Sequence, residues 1–184
     1  VAVVEQEKFG GECPNFGCVP TKALLQSAET YRTVMQASDF GITVKNVSVS
    51  FPAIKKWKDA AVHNTGTDEG KEAYEAEGIT VIEGHAHFMD PWTLSVHGKR
   101  YTAHTFLIAT GTHDFIPPIQ GLKETGYMGY RQALELASLP KKLCVIGGGA
   151  IGAEFTHYFA TFGTEVHIIE STPRLIMRED EEMS

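Results

Sequence analysis

Apolar positions recur at helical spacing in the first quarter of the chain. Leu24, Ala28, Tyr31 and Met35 stand at i, i+4, i+7 and i+11, which predicts an amphipathic helix over Pro20 to Ser38. Ahead of it, Val1 to Val4 is a short apolar run closed by Glu5, followed by the loop Lys8-Phe9-Gly10-Gly11. A second helix is expected after Ser50, which can cap it, with Pro52 in the first turn and Ile54, Trp57 and Ala61 on the buried side. Gly66 and Gly70 interrupt that pattern, and a polar helix resumes through Glu77. From Ile79 the period falls to two. Trp92, Leu94 and Val96 alternate with Thr93, Ser95 and His97 between turns at Asp90-Pro91 and Gly98-Lys99, predicting a small antiparallel meander. Phe106-Leu107-Ile108 is a continuous apolar run, as expected of a strand buried on both faces. It ends in Ala109-Thr110-Gly111.

Pro117-Pro118 and Gly121 mark a linker, and Pro140-Lys141-Lys142 a fresh start. Then come a strand over Leu143–Ile146, a glycine turn, a helix from about Ala150 to Phe162 and a strand over Val166–Ile169, together a βαβ unit. The chain opens in mid-strand without an initiator methionine and stops where an acidic helix is starting, so both ends are expected to be cuts.

Composition narrows the partners. The net charge is −7 and no basic block occurs, which gives a nucleic-acid partner no electrostatic support. No apolar run reaches the roughly 20 residues that span a bilayer, and like-sign repulsion disfavours an anionic membrane surface. A soluble protein handling small molecules is expected.

Gly147-Gly148-Gly149-Ala150-Ile151-Gly152 satisfies G-x-G-x-x-G between a predicted strand and a predicted helix. Gly147 permits the tight turn, Gly149 lets a pyrophosphate approach the backbone, and Gly152 lets helix and strand pack closely. Phosphates then meet the positive end of the helix, around Ala150 and Ile151. Glu170, at the end of the next strand, is placed to accept hydrogen bonds from an adenosine ribose. Its charge repels a 2′-phosphate, which favours NAD over NADP, although Arg174 stands nearby. Glu5 has the same position after the first strand and can serve a second nucleotide, or be a solvated strand-end carboxylate.

Cys13-Pro14-Asn15-Phe16-Gly17-Cys18 spaces two thiols at i and i+5, too far apart in a regular helix for a disulfide. Pro14 and Gly17 supply the backbone for a distorted turn. The following helix puts its positive end beside Cys18, and Lys22 adds a charge, both of which favour a thiolate. A redox pair, half of a zinc site and two inert buried thiols all remain open on spacing alone; no second cysteine pair follows to complete zinc. Cys144 reads as a small buried hydrophobe. His85-x-His87 could begin a metal site, but no third ligand is apparent, so no metal centre is expected.

With these residues in place, the chain resembles the pyridine nucleotide–disulfide oxidoreductases, which include dihydrolipoamide dehydrogenase, glutathione reductase and mercuric reductase. The likeness runs along essentially the whole chain and is most specific over Gly10 to Lys22. Ala109-Thr110-Gly111, Ile116 to Gly121 and the nucleotide loop ending in Glu154 support it in the right order. The resemblance implies an α/β fold of two Rossmann-like dinucleotide-binding domains, both incomplete, with the small meander: an FAD domain over 1–120 and the first half of an NAD(P) domain over 121–184. By the same resemblance Glu5 holds the FAD ribose, Gly10, Gly11 and Thr21 lie along FAD, and Ala86 contacts adenine. Ala109, Thr110 and Gly111 form the second FAD contact. Cys18 would face the flavin, Cys13 would exchange with substrate, and Lys22 would sit by the flavin, paired with Glu154.

Implied with these roles are electron transfer between NAD(P)H, FAD and a Cys13–Cys18 disulfide, a small disulfide, dithiol or metal-ion substrate, and a homodimer. The cytoplasm or the mitochondrial matrix would suit such a pair. The isolated piece is expected to be inactive. A mercuric-reductase-type metal-ion reductase and a non-catalytic nucleotide-binding module are the alternatives. Glu12 stands where the family commonly has threonine, adding a negative charge beside Cys13. Thr156 and His113 replace smaller residues.

Overall fold

The computed structural model describes residues 1–184, the side chain of Asp68 apart. In chain order the elements begin with β1 (Ala2–Glu5), α1 (Glu12–Asn15), α2 (Cys18–Met35), α3 (Phe51–His63), α4 (Gly70–Ala76), β2 (Thr80–Glu83), β3 (Ala86–Asp90), β4 (Thr93–Val96) and β5 (Lys99–Thr102). After them come α5 (Leu122–Thr125), α6 (Tyr130–Leu134), β6 (Lys142–Ile146), α7 (Ala150–Thr161) and β7 (Glu165–Ile169). The fold is mixed α/β, and it divides into two compact units: Val1–Asn15 with Val62–Ile116, and Phe16–Ala61 with Pro117–Ser184.

In the first unit β1 and β2 pair in parallel, Ala2 opposite Thr80 and Glu5 opposite Glu83. The meander is β3-β4-β5, antiparallel throughout. Alternation along β4 buries Leu94 and Val96, as the period of two requires. Trp92, expected on the same face, lies in the turn before β4 and is exposed. The run Phe106-Leu107-Ile108 forms no strand; Leu107 and Ile108 are 93% and 69% exposed. A strand buried on both faces needs ladder partners and a layer on each side, and among the described residues the parallel sheet of this unit pairs β1 with β2 alone.

The second unit is built on α2 and α7. Leu24 and Ala28 of α2, Leu134 of α6, and Phe155, Tyr158 and Phe159 of α7 form one buried cluster. Met35, at the far end of the predicted helical stripe, is exposed. In α3 the face differs from expectation: Trp57 is exposed, and Lys58 is buried in its place. Lys58 tolerates burial because its ammonium meets Glu135 at 2.6 Å and Asp59 at 2.9 Å, since a buried charge must be paired. Trp57 donates its indole N–H to Ala23 O at 3.1 Å.

Parallel β6 and β7 pair from Lys142–Glu165 to Ile146–Ile169, and α7 connects them. Leu143 and Val166 pack on the core cluster. Cys144, expected to be buried, is exposed. Successive strand residues point to opposite faces, and its face carries no covering layer among the described residues, Ile146 and Ile169 being 44% and 56% exposed.

Candidate functional site

Cys13 lies in α1, a single turn held by Asn15. The Asn15 side-chain amide donates to Phe9 O and to Gly11 O, each at 2.8 Å, tying the glycine loop to the turn that carries the thiol. Gly10 has φ +85°, and a Cβ there would meet the Thr67 methyl at 2.4 Å, so only glycine fits. Cys18 is the first residue of α2. Thr21 closes the first turn, its N–H and hydroxyl both donating to Gly17 O at 3.2 and 2.7 Å. Cys13, Cys18 and Cys144 are exposed, and the division between the two units falls between Asn15 and Phe16, inside the cysteine loop.

One turn into α2, Lys22 meets Glu154 of α7 at 2.5 Å. These residues are 132 positions apart in sequence, and the packing of α2 on α7 through the aromatic cluster brings them together. The side chains are 58% and 27% exposed, so the pair contributes at most about 1 kcal/mol to folding. Its value lies in fixing where the ammonium stands. An open groove beside it is lined by Leu25, Glu29, Ala153, Glu154 and His157.

The nucleotide loop has the geometry its glycines imply. Gly147 has φ +106°, and its N–H donates to Ile169 O at 2.9 Å. A Cβ on Gly152 would lie 2.0 Å from Gly147 O. Around Gly149 a Cβ would meet nothing within 4 Å, and no side chain caps α7; this leaves the helix end clear for an anion. Ala150 and Ile151 are exposed there. Glu170 accepts from Gly148 N–H at 2.7 Å and from Thr172 N–H at 2.8 Å. The Gly148 N–H above all, then Thr172, holds its carboxyl down at about 2. These residues fit the adenosine diphosphate half of a dinucleotide.

The expected FAD residues are placed as follows. Glu5 ends β1, its Oε1 accepting Gln6 and Glu7 N–H at 2.8 Å each. Gly84 N–H donates to Glu5 O at 2.8 Å, and Ala86 is the first residue of β3. These two, with Gly11 exposed at φ +72°, fit the adenosine end of a dinucleotide. Ala109, Thr110 and Gly111 are exposed in irregular backbone, and Thr21 spends its hydroxyl inside α2. The rings of His85 and His87 lie 4.6 Å apart between centroids, tilted by 47°. No group of three or more metal-ligating side chains is found among the described residues.

Several residues at the site carry little sequence signal. Arg131 of α6 stacks on Phe16, its guanidinium carbon 3.9 Å from the ring centroid, so a cation rests on a residue lying between the two cysteines in sequence. Nothing in the spacing of 16 and 131 announces that contact. Asn15 and Thr172 stand beside recognised motifs, and both bond backbone or acid within a few residues, as short polar side chains in turns do.

The family model described as pyridine nucleotide-disulphide oxidoreductase matches residues 1–184. The mercuric reductase of Staphylococcus aureus is 35% identical over 184 residues, covering 100% of this chain and 34% of that protein. The dihydrolipoyl dehydrogenase of Bacillus subtilis is 36% identical over 188 residues, covering 100% and 40%. The structure of the Cu(II) complex of RclA, an HOCl-induced flavoprotein disulfide reductase from Escherichia coli, superposes with a TM-score of 0.78 at 31% identity, covering 99% of this chain and 39% of that one. The chain thus spans between 34% and 40% of the length of these relatives.

Proposed function

The chain belongs to the pyridine nucleotide-disulphide oxidoreductase family, and on that premise we propose that Cys13 and Cys18 are its redox-active pair, exchanging electrons with a small disulfide or dithiol. The observation that carries this reading is the placement of Cys18 as the first residue of α2, with Lys22 one turn on and fixed by Glu154 at 2.5 Å. A helix N-terminus and a fixed ammonium both favour negative charge on the sulfur. FAD, when bound, supplies two-electron transfer between a nicotinamide and the disulfide. Glu5, Gly11 and Ala86 would hold it in part, with Lys22 beside its reactive ring and Thr110 and Gly111 at its second contact. Gly147 to Gly152 and Glu170 would hold NAD, with NADP disfavoured by the carboxylate.

The roles of the two thiols are those that the family resemblance implies. The Cys13 thiolate attacks one sulfur of a substrate disulfide, the substrate S–S bond breaks, and the released thiolate takes a proton. Cys18 then attacks Cys13 sulfur, closing Cys13–Cys18 and releasing the second substrate thiol. Run backwards, the same steps oxidise a dithiol. The full-length protein is proposed to act as a homodimer in a reducing compartment, with 1–120 serving FAD and 121–184 opening the nicotinamide domain.

Trapping tests the assignment. In the full-length protein Cys18→Ser should accumulate a mixed disulfide between Cys13 and a substrate thiol, and Cys13→Ser should accumulate none. Equal trapping in both variants would sink the assignment.

A metal-ion reductase is the second reading. Both thiols are exposed, and thiolates are soft ligands suited to such ions. Turnover of Hg(II) in preference to lipoamide or glutathione disulfide would select it.

A further inference from the structure

The glycine loop is tied to the turn that follows β7. Glu170 Oε2 accepts Gly148 N–H at 2.7 Å, while Oε1 accepts Thr172 N–H at 2.8 Å, Thr172 hydroxyl at 3.0 Å and Ser171 hydroxyl at 3.2 Å. A carboxylate offers about four lone-pair sites, so Oε2 keeps one for a ribose hydroxyl. Ile176 N–H donates to Gly148 O at 2.8 Å, and a Cβ on Gly148 would meet the Leu175 side chain at 2.4 Å. The turn therefore lies against the loop.

Arg174 is held within that turn. Nη1 donates to Glu179 O at 3.0 Å, and Nη2 to Met177 O at 3.1 Å and Glu179 O at 3.0 Å. Its own carbonyl lies 2.9 Å from the Thr172 hydroxyl. Both terminal nitrogens, the pair that would grip a phosphate bidentately, are bonded to backbone.

We propose that Thr172 is a positioning residue that orients Glu170 for the adenosine 2′-hydroxyl, and that the turn 172–179 withdraws Arg174 from a 2′-phosphate. Selection of NAD over NADP is then a property of the whole turn rather than of one acid. The inference rests on the nucleotide-loop reading above and adds the residues that set its specificity.

Equilibrium binding of NAD+ and NADP+ to the full-length flavoprotein tests it without turnover. Thr172→Val should weaken NAD+ at least about ten-fold, the lower end for one hydrogen bond to a charged group, and change NADP+ less than two-fold. Thr172→Ser, which keeps the hydroxyl, should restore NAD+ to within two-fold. Arg174→Ala should change the two affinities by one common factor. Equal weakening of both nucleotides by Thr172→Val, or no weakening, removes the positioning role. Selective loss of NADP+ in Arg174→Ala, ten-fold or more, makes Arg174 a phosphate ligand and overturns the withdrawal. A wild-type protein that binds neither nucleotide or prefers NADP+ refutes the loop reading and this inference together. One that prefers NAD+ but ignores both substitutions refutes the inference alone.

Discussion

Two alanine substitutions three positions apart in the nucleotide loop, at Gly149 and Gly152, should behave in opposite ways. In Gly152→Ala the new Cβ would sit 2.0 Å from Gly147 O, 3.1 Å from Gly147 C and 3.3 Å from Val145 Cγ1, whereas Cβ atoms essentially never come within 3.0 Å of another heavy atom. The obstructing atom is backbone, so α7 must withdraw by at least about 1.0 Å, the difference between 3.0 and 2.0 Å. That helix contributes Phe155, Tyr158 and Phe159 to the core, and forcing it outward loosens the cluster. Overpacking of this kind costs about 1–3 kcal/mol. In Gly149→Ala the Cβ meets nothing within 4 Å and φ is −72°, so folding should be almost unaffected. The added methyl instead occupies the face a pyrophosphate approaches, and NAD+ affinity should fall at least about ten-fold. Urea denaturation and NAD+ titration of the full-length protein read the two effects. A Gly152→Ala protein with the wild-type midpoint and wild-type affinity would refute the close-approach reasoning, as would a Gly149→Ala protein destabilised to the same degree.

Three further outcomes follow from the ion pairs and carboxylates. Glu135→Ala strips one partner from buried Lys58 and one from Lys55, leaving Asp59 to both at 2.9 and 3.0 Å; a loss of about 1–2 kcal/mol is expected by denaturation, reduced from a full buried-pair loss by the remaining partner and by solvent. For Glu135, burial opposes the charged form, but its bonds to Lys55 and Lys58 outweigh that and lower the pKa below 4.5. This contribution is present above 4.5 and shrinks as pH falls toward the folded value, so the wild-type advantage over Glu135→Ala should narrow in acid. Glu154→Gln should leave stability within about 1 kcal/mol while slowing flavin reduction by NADH about ten-fold or more in stopped-flow. Glu170, brought from 4.5 to about 2, supports the loop fully above 4.5 and loses that support as pH falls toward 2; hydrogen exchange at Gly148 N–H should stay protected until below 4.5 and lose that acid limb in Glu170→Gln.

The βαβ unit was legible in the sequence because its signals are local. Strand, glycine turn, helix and terminal acid follow each other within about 30 residues, and each is fixed by neighbours in the chain. The helix carrying Cys18 was legible for the same reason. The Phe106–Ile108 run and Cys144 were not: apolar pattern reports what a segment can bury, while burial itself depends on what lies across the sheet. Trp57 and Lys58 show the converse. Hydrophobicity ranks Trp57 for the core, yet Glu135, 77 positions away from Lys58, supplies the charge that lets the lysine take that place. The Lys22–Glu154 pair was legible only through family resemblance, since no periodicity links residues so distant. Arg131 on Phe16 had no signal of either kind.

The most direct test counts thiols before and after one electron pair enters. In the air-oxidised full-length protein, alkylation followed by peptide mass spectrometry should label exposed Cys144 and spare Cys13 and Cys18. Anaerobic addition of one equivalent of NADH should then make both Cys13 and Cys18 alkylatable, two sulfurs for each NADH consumed. Equal labelling of Cys13 and Cys18 with and without NADH would contradict their assignment as the redox pair.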